Sequence, residues 1–347
     1  EDIRRYALAY KRAVEGGSWS ISSRDELYDT ILSADIVFGG DFHSFAQAQK
    51  SHLRILREIA PRKRVILALE CVPSKYQNYL QQYMYGEIDD DEFLDKVDWQ
   101  DNWGFPWKHY QQLIREVKSN GGDCVGLNQL IEKRTEKELT QRDEHAASIL
   151  RRLYGEKDED ELIYVVYGDL HVAKEHMPRH FHEGVKGAPK SISIYLNPEK
   201  IYFELVEQNR THRGNVLKLS ESEYCLLESP PWVKWQSYLL FLEENIDTAL
   251  DEEDSQLDYT EHIQSLMGLI NADLGLQAEL RQQVYSFFDH EFLELMEHRL
   301  SSGDAALVRK MVENDLSFFY PKKDILFLSR ATVNYAADLA GHIIHAD

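Results

Sequence analysis

Two distant stretches of the chain end in nearly the same way. "IVFGGDFH" (36–43) and "VVYGDLH" (165–171) each close an apolar run with a glycine, an aspartate, an apolar residue and a histidine. A neutral imidazole delivered in this way can ligate a metal or act as a general base. An aspartate two residues before it can hold the other ring nitrogen or complete a metal's shell. The glycine at the exit of the run allows a positive φ or a close approach of backbone to side chain. His43 and His171 are then expected at or near the first turn of a following helix, whose macrodipole disfavours the imidazolium form. A third apolar run, "RVILALE" (64–70), ends in Glu70, where a carboxylate must be paired or desolvated. A fourth, "DCVGLN" (123–128), ends in Asn128. Taken singly, Asp41 and Asp169 read as turn or helix-capping residues, and each histidine as a hydrogen-bonding residue of the interior. Taken together, His43, Glu70, His171, Asp41, Asp169 and Asn128 read as one site.

Such a set converges if the runs are strands of one open parallel sheet, because ligands there bind beyond the carboxyl ends of the strands. The rest of the sequence supplies the covering helices. Residues 2–15 read as a leading amphipathic helix, 44–60 as a helix stopped at Pro61, and 74–85 as another. An aromatic block (Trp99, Trp103, Phe105, Trp107, Tyr110) opens a helix that runs to about 119, and 136–154 is a long polar-faced helix. Residues 191–197 and 201–207 read as two more strands. The fold class expected is α/β, with a largely parallel central sheet flanked by helices. Beyond 215 the segments 231–244, 259–272, 275–300, 303–315 and 330–347 read as helices, with a short strand at 324–329. This divides the chain into an N-terminal helical segment (1–32), an α/β domain (33–215) and a mostly helical C-terminal region (216–347). The dense acidic run at 243–261 reads as a solvated linker and lacks the glycine and ligand spacing of an EF-hand.

Composition narrows the function classes. Of 347 residues 43% are hydrophobic and 11% aromatic, enough for a packed core rather than disorder. A formal charge of −21 argues against nucleic acid as a partner, since phosphate binding draws on Lys and Arg. No apolar run approaches the roughly 20 residues that span a bilayer, so no transmembrane segment is expected. Cys71, Cys124 and Cys225 form neither a disulfide framework nor a zinc ribbon. A cytoplasmic setting is expected for the chain as given, with an exported or lipoprotein form as the alternative if an N-terminal signal was removed. Neither GxGxxG nor GxxxxGK[ST] occurs, which leaves nucleotide folds of the common kinds unsupported.

The residues "GGDFH" (39–43), "LALECVP" (67–73), "WGFPWKHY" (103–110), "GLN" (126–128) and "YGDLHVAKEH" (167–176) resemble the ChaN-like family of haem-binding uptake proteins in the Tiki superfamily, which is related to the TraB/Tiki proteases and the erythromycin esterases. The resemblance covers roughly residues 33–205 and reaches none of the C-terminal region. It implies an α/β core with both GxxH histidines and an acidic residue in one cleft. It makes His43, Glu70 and His171 the expected catalytic residues and metal ligands. Asp41 and Asp169 become their supports or additional ligands, and Asn128 and His176 further residues of the cleft.

Three functions follow as expectations. In the first, His43, Glu70 and His171 hold a divalent ion (Zn, Mn, Fe or Co) whose bound water attacks an ester or amide carbonyl of a small-molecule or peptide substrate. Should Glu70 not be a ligand, it serves as general base. The second is haem or iron binding without catalysis, for which His and Tyr side chains are abundant. The third is a catalytically degenerate scaffold whose C-terminal helices bind a partner. His180 and His182 are expected away from the cleft, His342 and His345 in packing or at the surface, and the aromatic block in the core. The oligomeric state is left open.

Overall fold

Strands β2 (Ile36–Asp41) and β5 (Glu161–Gly168) are buried along their whole length, as strands covered by helices on both faces must be. The computed structural model describes residues 2–15, 17–130, 135–211 and 215–244, and beyond these 263, 267–268, 271, 280, 284–286, 289, 292–313, 316–329 and 333–346. The described residues fall into two units, 1–234 and 235–347.

The first unit is built on an eight-stranded sheet of order β1-β7-β8-β6-β2-β5-β3-β4. From β8 (Glu223–Leu226) through β6 (Ser191–Leu196), β2, β5, β3 (Arg64–Pro73) and β4 (Asp123–Asn128), every neighbouring pair is parallel. β7 (Val216–Ser220) and β1 (Ser20–Ile21) complete one edge in antiparallel pairing. The two faces follow from the period-2 alternation of strand side chains. Leu162, Tyr164 and Val166 of β5 join one core with residues of α2 (Arg24–Leu32), α3 (Ala46–Ile59) and the helix Trp107–Ser119. Ile163, Val165 and Tyr167 join the other, with residues of the helices Glu136–Glu156 and Met177–Gly184 and with Val14 of α1 (Asp2–Glu15). Between β3 and the helix at 107–119 lie α4 (Gln77–Tyr85), α5 (Asp90–Lys96) and α6 (Trp99–Asn102). Trp107–Ser119 is therefore α7, Glu136–Glu156 α8 and Met177–Gly184 α9. A capping box between Thr135 and Glu138 starts α8.

Register places the site. Asp41 pairs with Gly168 across β2 and β5, and Leu69 pairs with Val166 across β3 and β5, so Glu70 emerges level with Tyr167. Both tetrads and the glutamate thus leave three adjacent strands at the same end of the sheet.

Two expected elements differ. Residues 201–207 belong to a helix, α10 (Glu199–Glu207), rather than a strand. Asn197 turns the chain at φ 49°, Pro198 precedes the helix, and Ile201 and Leu205 fall four apart on its buried face. Residues 216–226, expected in the helical C-terminal region, extend the main sheet as β7 and β8 before α11 (Pro231–Glu244).

In the second unit, β9 (Val284–Ser286), β10 (Phe318–Tyr320) and β11 (Ile325–Leu328) form a sheet of order β10-β11-β9. The helix expected over 275–300 is replaced at 284–286 by β9, which pairs parallel to β11. Its helical part is α12 (Phe292–Arg299), followed by α13 (Ser302–Glu313) and α14 (Val333–Ala346). Tyr285, Phe292, Met296, Val308, Phe318, Ile325 and Phe327 form its core. The acidic run beyond 244 and most of the helix expected at 259–272 lie outside the described residues. Among the described residues no helix is long and apolar enough to cross a membrane.

Candidate functional site

The end of β2 turns directly into a hydrogen-bonded dyad. Nδ1 of His43 lies 3.0 Å from Oδ2 of Asp41. A carboxylate can only accept, so Nδ1 carries the proton and Nε2 is left for chemistry. Asp41 also accepts from the Tyr110 hydroxyl at 2.8 Å and from the Gln49 amide at 2.5 Å. Burial alone would raise its carboxyl, but the His43 imidazole first, and the Tyr110 hydroxyl, outweigh this and hold it below the usual carboxylate range. His43 keeps 24% of its side chain exposed, with Trp103 and Phe105 packed beside the ring at 4.4 and 5.2 Å between centroids. Burial pulls this imidazole toward neutrality, yet Glu70 and Asp41 together raise it above its ordinary value. The helix macrodipole expected to do the opposite is remote, because α3 does not begin until Ala46.

A second dyad stands at the end of β5. His171 sits in a short 3-10 turn (Asp169–Val172), and its Nδ1 lies 2.6 Å from Oδ1 of Asp143 on α8. Oδ2 of Asp143 accepts from the hydroxyl of Tyr6 on α1. Burial and the Asp143 charge hold that phenol far above its ordinary value, so it stays a donor.

Glu70 lies between the dyads. Its Oε2 accepts the backbone N–H of Gly168 at 2.6 Å and stands 3.5 Å from Nε2 of His43, while Oε1 pairs with the Arg142 guanidinium. Burial would raise this carboxyl, but Arg142, then His43 and His171, and the Gly168 N–H hold it below the usual range. A Cβ on Gly168 would lie 3.3 Å from Glu70 Oε2, 3.4 Å from His43 Nε2 and 3.5 Å from His171 Cδ2. The three side chains therefore converge on one point that a glycine leaves open. The freedom used here is close approach, since φ of Gly168 is −50°.

The other expected residues are placed differently. Asp169 turns to Lys234 at 3.4 Å and packs on Gly40, where an added Cβ would meet its Oδ1 at 2.4 Å. Burial raises its carboxyl against the pull of Lys234. Asn128 is buried at the end of β4, and its Oδ1 has no hydrogen-bond partner among the described residues. His176 donates from Nδ1 to the Leu170 carbonyl at 2.6 Å and stacks on Tyr6, with ring centroids 3.7 Å apart. The aromatic block divides, with Trp99 and Tyr110 in the core and Trp103 and Phe105 against His43. His180 and His182 lie on α9, beside Glu183 and Ser191 respectively, while His342 and His345 are exposed on α14.

Asp143, Arg142, Tyr6 and Gln49 complete the site without having been singled out in the sequence, and Tyr110, expected only as core, joins them through Asp41. Asp143 carried a signal. It occupies the apolar stripe of α8, between Leu139 and Ala146, Ala147 and Leu150, and is fully buried. A carboxylate in such a stripe has to meet a partner.

His43, Glu70 and His171, the expected metal set, face one another around Gly168. Among the described residues no group of three His, Cys, Asp or Glu side chains is placed to hold a metal ion. The carboxylate oxygens of the site have partners of their own. Glu70 is held by Arg142 and a backbone N–H, and Asp41 by three donors.

Part of the chain is similar to known proteins. Residues 27–138 match the family model described as haem-binding uptake, Tiki superfamily, ChaN. No curated protein matches the sequence. Among solved structures, the chain is similar to ChaN of Campylobacter jejuni, described with cofacial heme binding, at 17% identity over 59% of this chain and 91% of that one (TM-score 0.43). It is similar also to the type III effector HopBA1, at 13% identity over 59% of this chain and 93% of that one (TM-score 0.38). A third similarity is to RRSP, a MARTX toxin effector domain from Vibrio vulnificus, at 15% identity over 54% and 40% of the two chains (TM-score 0.35). The match to the family model takes in β2, β3 and β4 with Asp41, His43, Glu70 and Asn128, and ends before Arg142, Asp143 and His171.

Proposed function

We propose that the α/β unit hydrolyses an ester or amide bond of a small-molecule or peptide substrate by acid–base catalysis between two Asp–His dyads. The observation that carries this reading is the meeting of two imidazoles, each anchored through Nδ1 on a buried aspartate, around Glu70 and the open face of Gly168. His43, with its exposed edge, takes a proton from water through Nε2. Asp41 and Glu70 stabilise the imidazolium that results. The water attacks the carbonyl carbon, and as the bond to the leaving oxygen or nitrogen breaks, the His43 imidazolium gives that group the same proton from Nε2, while His171, its proton on Nδ1, accepts a hydrogen bond at Nε2 from the reacting water. Arg142 keeps Glu70 ionised and offsets its charge beside the developing oxyanion. The proton transfers are carried by the chain's own side chains.

The test is a panel of ester and peptide substrates with His43→Ala, His171→Ala and Glu70→Gln, with and without chelator. Each substitution should lower kcat by roughly 10²-fold or more, and the chelator should change nothing. Full activity in the His43→Ala, His171→Ala double variant would sink the reading, as would loss with chelator and recovery with added divalent metal.

A second reading is haem binding, favoured by the aromatic wall of Trp103 and Phe105 beside His43. His43 would be the residue that meets the iron, with the rings against the porphyrin edge. A haemin titration should then give a Soret shift that His43→Ala abolishes, and no shift at micromolar concentrations rules it out.

A further inference from the structure

The first helix of the chain takes part in a site built from strands far away in sequence. Tyr6 of α1 is 3% exposed, and its hydroxyl donates to Oδ2 of Asp143. The Tyr6 hydroxyl oxygen lies 2.8 Å from Nδ1 of His171, a residue 165 positions away in the chain. The hydroxyl has one proton and gives it to the carboxylate, so toward His171 it can only accept. The Nδ1 proton of His171 is thus shared between Asp143 Oδ1 and Tyr6. The Tyr6 ring is fixed in turn by stacking on His176, with 13° between the planes. Beside His171 also lie Tyr167 of β5, at 5.0 Å between ring centroids, and Glu70 of β3, whose carboxyl His171 helps Arg142 and His43 to hold down.

We propose that Tyr6 is a positioning residue for His171, fixing its tautomer and ring orientation through a hydroxyl clamped on Asp143. A ring that donates to two acceptors on different helices resists both flipping and tautomer exchange, and its Nε2 edge stays toward Glu70 and Gly168. The proposal rests on the acid–base reading of the site, in which His171 must present Nε2 to the reacting water. It makes α1 part of the catalytic apparatus rather than a cover.

Tyr6→Phe keeps the ring, its burial and its stacking, and removes the hydroxyl alone. Tyr10→Phe is the control. It also removes a buried phenol O–H from α1, one turn along, where the hydroxyl has no hydrogen-bond partner among the described residues. Two readouts are taken on the full chain: the one-bond 1H–15N resonance of His171 Nδ1, assigned with His171→Asn, and steady-state kinetics. In Tyr6→Phe the Nδ1 proton passes wholly to Asp143, so its resonance moves downfield, and kcat falls on the order of 10-fold with KM unchanged. Tyr10→Phe leaves both as they were. An unmoved Nδ1 resonance in Tyr6→Phe overturns the proposal, and so does a Tyr10→Phe variant that reproduces the effect, since α1 docking in general would then be responsible. If the chain turns over no substrate, the resonance still decides whether Tyr6 positions His171, so the two readings fail separately.

Discussion

The backbone N–H of Gly168 donates to Oε2 of Glu70 at 2.6 Å, across 98 positions of the chain. One glycine therefore fixes the carboxylate with its backbone and, by having no side chain, leaves the space into which His43 and His171 also point.

Gly168→Ala separates folding from function. Its φ of −50° and ψ of 137° suit any L-residue, so the backbone does not oppose the change. The new methyl would stand 3.3–3.5 Å from Glu70, His43 and His171, a contact that displaces ligand more than it strains protein. Thermal midpoint should move little while turnover falls by roughly 10²-fold. Retained activity would place the reacting centre elsewhere.

Arg142 and Glu70 form a buried ion pair, and removing one partner strands the other. Arg142→Met should cost about 3–5 kcal/mol at neutral pH. The sign with pH follows from Glu70. Its folded-state carboxyl is depressed, because Arg142, the two imidazoles and the Gly168 N–H outweigh burial. Its contribution is therefore present above the unfolded value of roughly 4.3 and is lost as pH falls through the folded one. Urea denaturation of the variant and of the parent chain from about pH 7 to about pH 3 should show the deficit holding above the unfolded value of roughly 4.3 and shrinking below it as Glu70 protonates. A deficit that is constant with pH would mean that lost packing, not charge, dominates.

How much of this could be read in the sequence depends on the range of the interaction. The strands of the sheet centre, the glycine exits, His43, His171 and Glu70 are local features: an apolar run, its end, and the residue that follows. Asp143 and Arg142 act on Glu70 and His171 only because α8 packs on the β5 face, and no local pattern announces which strand a helix will cover. The buried aspartate in the α8 stripe was the nearest thing to a signal. The helix at 199–207 was hidden for a different reason. Ile201, Tyr202 and Phe203 favour strands by propensity, and the choice was made by Pro198 and by the apolar face that tertiary packing buries.

His43 should give the pH–rate profile its acid limb. It works unprotonated, and its carboxylate neighbours outweigh burial and hold its proton on, so activity should rise through a midpoint above the usual histidine value of roughly 6.5. The same raised value contributes stability that is present below the unfolded pKa and lost as pH rises through the folded one. Asp41→Asn removes the anchoring charge, so the limb should move to lower pH. It also lets an amide N–H face Nδ1, which turns the ring to the wrong tautomer and should lower kcat by at least about 10²-fold. A limb that stays in place would show that another group controls it.

Gly39, in the same motif, should behave in the opposite way to Gly168. A Cβ there would meet Cε1 of His52 at 2.6 Å and the Val165 carbonyl at 2.9 Å. Neither can withdraw. Val165 O is backbone of the central strand, and His52 is fully buried between the Gly40 carbonyl at 2.8 Å and the Tyr164 hydroxyl at 2.9 Å. Burial keeps that imidazole neutral, with one nitrogen donating and the other accepting, so the ring has no second position. Gly39→Ala should therefore destabilise the fold by about 1–3 kcal/mol, visible as a lowered midpoint in denaturant. The turnover of the molecules that remain folded should be unchanged, because His52 does not reach the cleft. A Gly39→Ala chain of full stability and reduced turnover would reverse the assignment and make His52 part of the site.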